Sequence, residues 1–232
     1  MERIGDVLLP NKSQVSARQS KTLCQSCKSR FADGLLGKIC MVCYRRGQFN
    51  SLPAEEQRQH LLDVVPARYI DADMNDLRPA LQKAFNADND TGMLLWGEPG
   101  RGKTYAMAVL TKKYMSEGYL VRRSYYEELC LRLRDTFNPK ATQTEWNLIE
   151  PLLNCDKLFI EDVGTTKSVG KQESDFSLKT FLLLLDMRME RLRPTFITSN
   201  KSVENLGKSF DQRVSDRLRM FQVFKMSGES LR

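Results

Sequence analysis

The chain has 232 residues, 41% of them hydrophobic, with 36 Lys or Arg against 29 Asp or Glu and a net charge of +7. That length accommodates one full-sized domain and a small appendage. No stretch approaches 18 consecutive apolar residues and Met1-Glu2-Arg3-Ile4-Gly5-Asp6 lacks the apolar core of a signal peptide, so membrane-spanning and secreted classes are set aside and a cytoplasmic protein is expected.

The positive excess is uneven: residues 1–47 carry nine Lys or Arg against three acids. This asymmetry predicts attraction to nucleic acid or an acidic partner, against the plainer reading of a solvated basic tail. Residues 1–20, with Asn11, Lys12, Ser13, Gln14, Ser16, Arg18 and Gln19, hold little that can pack and are read as a mobile basic arm. Four of the six cysteines follow as Cys24-x-x-Cys27 and Cys40-x-x-Cys43. Two Cys-x-x-Cys hairpins can place four thiolates tetrahedrally around Zn²⁺, and a segment with so little core gains its fold from that binding. The twelve-residue spacer is shorter than in the common four-cysteine ribbon. Redox-active cysteines are the competing reading, and a cytosolic setting disfavours disulfides. Residues 21–47 are therefore expected to form a Cys₄ zinc-binding module, with His60 outside it. Residues 48–64, polar and containing Pro53 and Glu55-Glu56-Gln57-Arg58, are expected to be a linker holding a short helix.

From Val65-Pro66 onward the pattern is α/β, with strands near 92–97, 119–124, 157–161 and 195–199 separated by helical patterns. Short apolar strands alternating with helices predict a mainly parallel sheet covered on both faces. Tyr119 to Tyr126 interleaves aromatics with Arg122 and Arg123, which suits base stacking, yet the same alternation describes a half-buried strand, the reading preferred here. Leu178 to Leu192 reads as a core helix, and Cys130 and Cys155 as core residues.

Gly97-Glu98-Pro99-Gly100-Arg101-Gly102-Lys103-Thr104 fits Gly-x-x-x-x-Gly-Lys-[Ser/Thr], the phosphate-cradling P-loop. Its glycines let backbone N–H groups turn toward phosphate oxygens, Lys103 reaches the β and γ phosphates, and the Thr104 hydroxyl binds Mg²⁺. The buried strand before the loop and the helical run Lys103 to Met115 after it supply the context the motif requires; Tyr105 opens that helix beside the binding residues. Leu158-Phe159-Ile160-Glu161-Asp162 supplies the acids, Glu161 to assist the metal and Asp162 to polarise water, at the end of an apolar strand. Pro194 to Asn200 is a further strand ending in polar groups, with Asn200 the first choice and Thr198 the second for orienting water or sensing the γ-phosphate. Asp211 to Arg219 opens a helix dense in arginine, which by itself reads as a solvated face.

Together GMLLWGEPGRGKT, LFIEDVG, PTFITSN and RVSDRLR, across residues 65–232, resemble the AAA+ ATPases of the DnaC and IstB group, helicase loaders and transposition helpers of bacteria and phages. The cysteine module before such a domain is similar to the DnaI type of loader. The resemblance implies a P-loop αβα sandwich lacking a C-terminal helical lid, with ATP rather than GTP as ligand. Lys103 and Thr104 become the Walker A groups, Glu161 and Asp162 the Walker B pair, and Asn200 the sensor-1 residue. Arg217 matches the arginine finger that acts on a neighbouring subunit's nucleotide, with Arg213 one turn earlier. Arg232 corresponds to a C-terminal arginine that approaches the nucleotide, and Val65 to Tyr69 to a wall for adenine. The acid pair departs from the more usual Asp-Asp or Asp-Glu.

Motifs and resemblance together lead to the expectation of an ATP-dependent loader of a replicative, hexameric DNA helicase in a bacterial or phage-infected cell. It would bind ATP-Mg²⁺ and single-stranded DNA, assemble as a homo-oligomer, and recruit helicase through the zinc-bearing N-terminal region. An IstB-like helper acting with a transposase on duplex DNA is the nearest alternative. A zinc-dependent nucleic-acid adaptor whose nucleotide switch does not hydrolyse is the second.

Overall fold

Gly92–Trp96 is a run whose first four residues are buried, and such a run is stable only where both faces are covered. It forms an inner strand, β1, in a computed structural model that describes residues 22–33, 36–87, 92–164 and 175–228; the arm expected over residues 1–20 lies outside them. β2 (Val121–Tyr125), β3 (Lys157–Val163), β4 (Thr195–Ser199) and β5 (Gln222–Lys225) complete a sheet of order β2-β3-β4-β1-β5. Every pairing is parallel, so strand ends of one polarity meet along one edge. β3, β4 and β1 are almost wholly buried, whereas β2 and β5 at the sheet edges alternate with solvent.

The helices are α1 (Met41–Ser51), α2 (Ala54–Leu62), α3 (Pro79–Asn86), α4 (Lys103–Ser116), α5 (Tyr126–Asp135), α6 (Glu145–Asn154), α7 (Asp175–Glu190), α8 (Val203–Ser209) and α9 (Gln212–Leu218). Thr144, Ser202 and Asp211 cap α6, α8 and α9 by accepting the backbone N–H of Asn147, Asn205 and Arg213. Each such cap contributes about 1 kcal/mol. α7 begins three residues before the expected Leu178 and stops at Glu190, followed by Leu192 at φ +51 and exposed to solvent. Among the described residues no helix is long and apolar enough to cross a membrane.

The chain divides into two compact units. The first contains the described residues up to Asp71 together with 111–120. There an antiparallel bridge between Leu23 and Phe31 closes a small hairpin, followed by α1, α2 and a 3₁₀ turn at Ala67–Tyr69. Gly118 at φ +87 lies so close to the α1 backbone that a Cβ would meet Arg46 N at 2.5 Å, so only glycine fits. Arg30 donates to the Tyr119 hydroxyl, and Lys112 Nζ donates to Ile70 O at 2.6 Å. α2 has no buried residue and is polar around its circumference.

The second unit, 72–110 and 121–232, contains the sheet. Phe159 and Phe196 stack across β3 and β4 at 4.8 Å between centroids, and Tyr126, Phe181 and Phe210 pack at 5.4–5.7 Å. Arg188 of α7 is fully buried without a carboxylate. Its Nε donates to Thr195 Oγ1, Nη1 to Leu152 O and Cys155 O, and Nη2 to Pro194 O at 2.6–3.0 Å. One guanidinium thereby joins the end of α6 to the start of β4, and burial lowers its pKa. Arg188→Met removes these four buried hydrogen bonds and leaves Leu152 O, Cys155 O and Pro194 O to their remaining donors, Cys155 Sγ, Arg193 Nη1 and Leu158 N, so urea unfolding is expected to show a loss of about 3 kcal/mol; an unchanged midpoint would rule out the clamp.

Candidate functional site

The sheet order sets β1 beside β4, so the segments leaving their C-terminal ends are neighbours, the place where open α/β sheets bind ligands. After β1, Gly97, Gly100 and Gly102 take φ values of +155, +82 and +78, a backbone that turns N–H groups inward. At Gly97 a Cβ would collide with the carbonyl of Met226, which follows β5. Lys103, 6% exposed, donates through Nζ to Gly97 O at 2.6 Å, Glu98 O at 2.9 Å and Asn200 Oδ1 at 2.7 Å. The structure thus brings together two residues 97 positions apart that were both expected at the site. An ammonium held by a ring of oxygens at a glycine-lined turn suits polyphosphate chemistry.

Around the loop, Arg101 donates to the Glu98 carboxylate and to Gly228 O, and Arg101 beside Glu98 lowers that carboxyl's pKa. The Tyr105 hydroxyl donates to Asp76 Oδ2 and accepts from Asp73 N at 3.0 Å, pinning the segment before α3. Those contacts give Tyr105 a scaffold position. Pro99 lies in the turn between Gly97 and Gly100. Arg232 lies outside the described residues.

The acids sit where β3 loses register with β4. Ile160 pairs with Ile197 and Val163 with Ser199, so Glu161 and Asp162 together oppose Thr198. Asp162 takes φ +57, a left-handed backbone that Asp tolerates, and its N–H donates to Thr198 Oγ1 at 2.9 Å. A regular strand would send two adjacent side chains to opposite faces; an extra residue re-aims them. Thr198 is therefore the support for the acid pair, while Asn200 reaches Lys103. Glu161 is 1% exposed and its pKa is raised by burial, against hydrogen bonds from Arg123 and Thr104. Thr104 follows Lys103 in the first turn of α4, and a hydroxyl and a carboxylate oxygen are the donors Mg²⁺ takes.

Arg213 and Arg217 lie in α9 and are ion-paired within their own unit. Arg217 holds both Asp186 oxygens, with Nη2–Oδ2 at 2.9 Å, and Arg213 pairs with Asp211 at 2.9 Å. Asp186 belongs to no sequence motif, and the aromatic–arginine run that contains Arg123 does not point to a partnership with Glu161. Each is one charge among many in sequence, and only strand register or helix packing reveals its partner.

In the first unit the four cysteines converge with all ligand atoms within 4.8 Å of one another. Cys27 Sγ and Cys40 Sγ are 3.9 Å apart, close to the ~3.8 Å that four thiolates at about 2.3 Å from Zn²⁺ adopt. Cys24 and Cys27 lie on the Leu23–Phe31 hairpin. The second pair is not in a hairpin as expected: Cys40 caps α1, accepting from Cys43 N, because a helix N-terminus offers free N–H groups and a favourable dipole to thiolates. The Ser29 hydroxyl draws Cys27 down to about 5, while burial pushes Cys40 up to about 12. None of the six cysteines forms a disulfide, and Cys130 and Cys155 are buried within the second unit.

Sheet order, P-loop and paired carboxylates match an AAA+-type αβα fold, accompanied by a four-cysteine cluster. Within that class the chain's homologues are the DnaC and DnaI helicase loaders. It is 28% identical over 148 residues to the replicative helicase loader DnaC of Escherichia coli (strain K12), an alignment covering 63% of this chain and 58% of that protein. A crystal structure of DnaI superposes with a TM-score of 0.58 at 21% identity, over 72% of this chain and 94% of that one. The replication initiator DnaA bound to AMPPCP and single-stranded DNA gives 0.59 at 13% identity, over 71% and 51%. No family model matches the chain. The chain therefore spans under two thirds of the DnaC relative's length.

Metal analysis of purified protein is expected to find about one Zn²⁺ per chain, lost when Cys24 and Cys27 are replaced by serine. Folded protein without metal would remove zinc as the cluster's ligand.

Proposed function

We propose that the chain is an ATP-dependent loader of a replicative DNA helicase, with residues 65–232 as the ATPase domain and the region around residues 21–47 as a zinc-binding recruitment module. The carrying observation is the contact of Lys103 with Asn200 at the P-loop. The acid pair Glu161-Asp162 on β3 and the similarity to DnaC support the same reading.

In this reading the N–H groups of residues 97–104 and the Lys103 ammonium bind the triphosphate of ATP. The oxygens that now hold Lys103 keep its side chain extended along the loop, so little ordering is left for binding. Thr104 and Glu161 hold Mg²⁺, which neutralises phosphate charge. Asp162 accepts a proton from the attacking water, and Asn200 orients that water or the γ-phosphate. Arg217 acts on the nucleotide of the next subunit, with Arg213 in reserve, and Asp186 keeps the guanidinium extended until then. ATP-bound subunits line up on single-stranded DNA and hand it to the helicase, and hydrolysis resets them.

Steady-state ATP turnover with single-stranded DNA and a hexameric helicase tests this. Lys103→Ala is expected to lower turnover roughly a hundredfold or more and to stop helicase delivery onto DNA. Tight ATP binding by the native chain with no turnover under any condition would favour a non-hydrolysing adaptor instead. Arg217→Ala is expected to keep ATP affinity within about twofold while lowering turnover of the assembled protein by roughly a thousandfold. An equal loss in dilute monomer would remove its role across an interface.

A further inference from the structure

Glu161 and Arg123 form the most deeply buried ion pair among the described residues, with side-chain exposures of 1% and 5%. Their meeting is a matter of register. Arg123 pairs with Phe159 across β2 and β3, and Glu161 is two residues beyond Phe159, so both lie on the same sheet face as diagonal neighbours. Arg123 Nε donates to Glu161 Oε1, while Arg123 Nη1, Arg123 Nη2 and Glu161 Oε2 are buried with no hydrogen-bond partner. A pair kept for stability would use the two-pronged guanidinium–carboxylate geometry and satisfy its remaining donors. This pair does neither, and its carboxylate belongs to the acid pair where β3 loses register with β4.

Resting on the reading of the P-loop as a Mg²⁺-nucleotide site, we propose that Arg123 is a resident cation of the metal site. In the nucleotide-free protein its guanidinium occupies Glu161, and Mg²⁺ arriving with nucleotide must take that carboxylate from it. A guanidinium and a divalent cation both seek the same oxygens, and in a buried site one carboxylate charge does not fully satisfy two cations. Arg123 then acts as a positioning residue. It holds Glu161 in place and compensates its charge while no metal is present, and it sets the Mg²⁺ concentration above which nucleotide is held through the metal. Giving up the Nε–Oε1 bond takes from the buried guanidinium a carboxylate it needs, and that cost is what Mg²⁺ must overcome.

The test reads binding, not turnover. A fluorescent ATP analogue is titrated with Mg²⁺ at pH 8 on the full chain and on Arg123→Gln and Arg123→Lys. Arg123→Gln is expected to lower the half-saturating Mg²⁺ concentration by about tenfold, because a competing charge has left the carboxylate. Arg123→Lys, which keeps the charge, is expected to stay near the native value. A half-saturation unchanged or raised in Arg123→Gln overturns the proposal. Should Arg123→Gln fail to fold, the guanidinium Nε–H signal of Arg123 in ¹⁵N-labelled native protein decides. It is expected to move on addition of Mg²⁺ and ATP but not with ATP and EDTA, and a signal indifferent to Mg²⁺ overturns the proposal. If the native chain binds no nucleotide with or without Mg²⁺, the P-loop reading itself fails and the proposal falls with it.

Discussion

The ammonium of Lys103, shared between two P-loop carbonyls and the Asn200 amide oxygen, is the contact on which the site depends. It can exist only because the parallel pairing of β1 with β4 delivers the loop after one strand to the residue after the other. Leu94, Leu95, Phe196 and Ile197, all fully buried, anchor those two strands. At roughly 2 kcal/mol for each large apolar side chain removed from water, the core fixes strand position far more firmly than any single polar contact could. The polar end groups inherit that precision. Arg188 does similar work at the opposite end of β4, where its guanidinium meets Thr195 and Pro194.

The acidic side of the site is arranged differently. There the sheet departs from regularity, and the departure is local: one extra residue in β3, a left-handed Asp162, and one hydroxyl, Thr198 Oγ1, to receive its N–H. A strained backbone persists only when its surroundings over-determine it, and fully buried neighbours on β3 and β4 provide that. Glu161 is then left in a dry environment that disfavours its charge, so a cation must accompany it. Arg123 is that cation in this structure.

Much of this was legible in the sequence because apolar runs and glycine spacing act locally. The P-loop with its entering strand and leaving helix, the strand ending in Glu161-Asp162, and the helix rich in leucine all announce themselves within a dozen residues. β5 did not, since Gln222-Val223-Phe224-Lys225 is a short edge strand with half its residues exposed and no unbroken apolar run. α2 lies where a short helix was expected in the linker, although none of its residues is buried. Arg123 and Thr198 were illegible as supports for the acids, because their roles depend on which residue lies across the sheet, and register is set by the whole fold. Asn200 was visible as a polar residue ending a strand and as the sensor-1 position of the resemblance; its contact with Lys103 required the strand order. In the cysteine cluster the spacing announced four convergent thiols, but not that Cys40 would cap a helix.

Within the first unit, a small hairpin and the start of α1 gather four cysteine sulfurs within 4.8 Å of one another, a cluster that could hold one metal ion. Within the second, the segments leaving β1 and β4 bring Lys103 and Asn200 together at a glycine-lined turn. The affinities of Asn200→Ala for ATP and for ADP test that convergence most directly, since Asn200 is assigned to the terminal phosphate and its water. ATP binding is expected to weaken about tenfold, the size of a lost hydrogen bond to a charged group, with ADP binding nearly unchanged. Equal affinity for ATP in the variant and the native chain would contradict the convergence of β1 and β4 on a triphosphate.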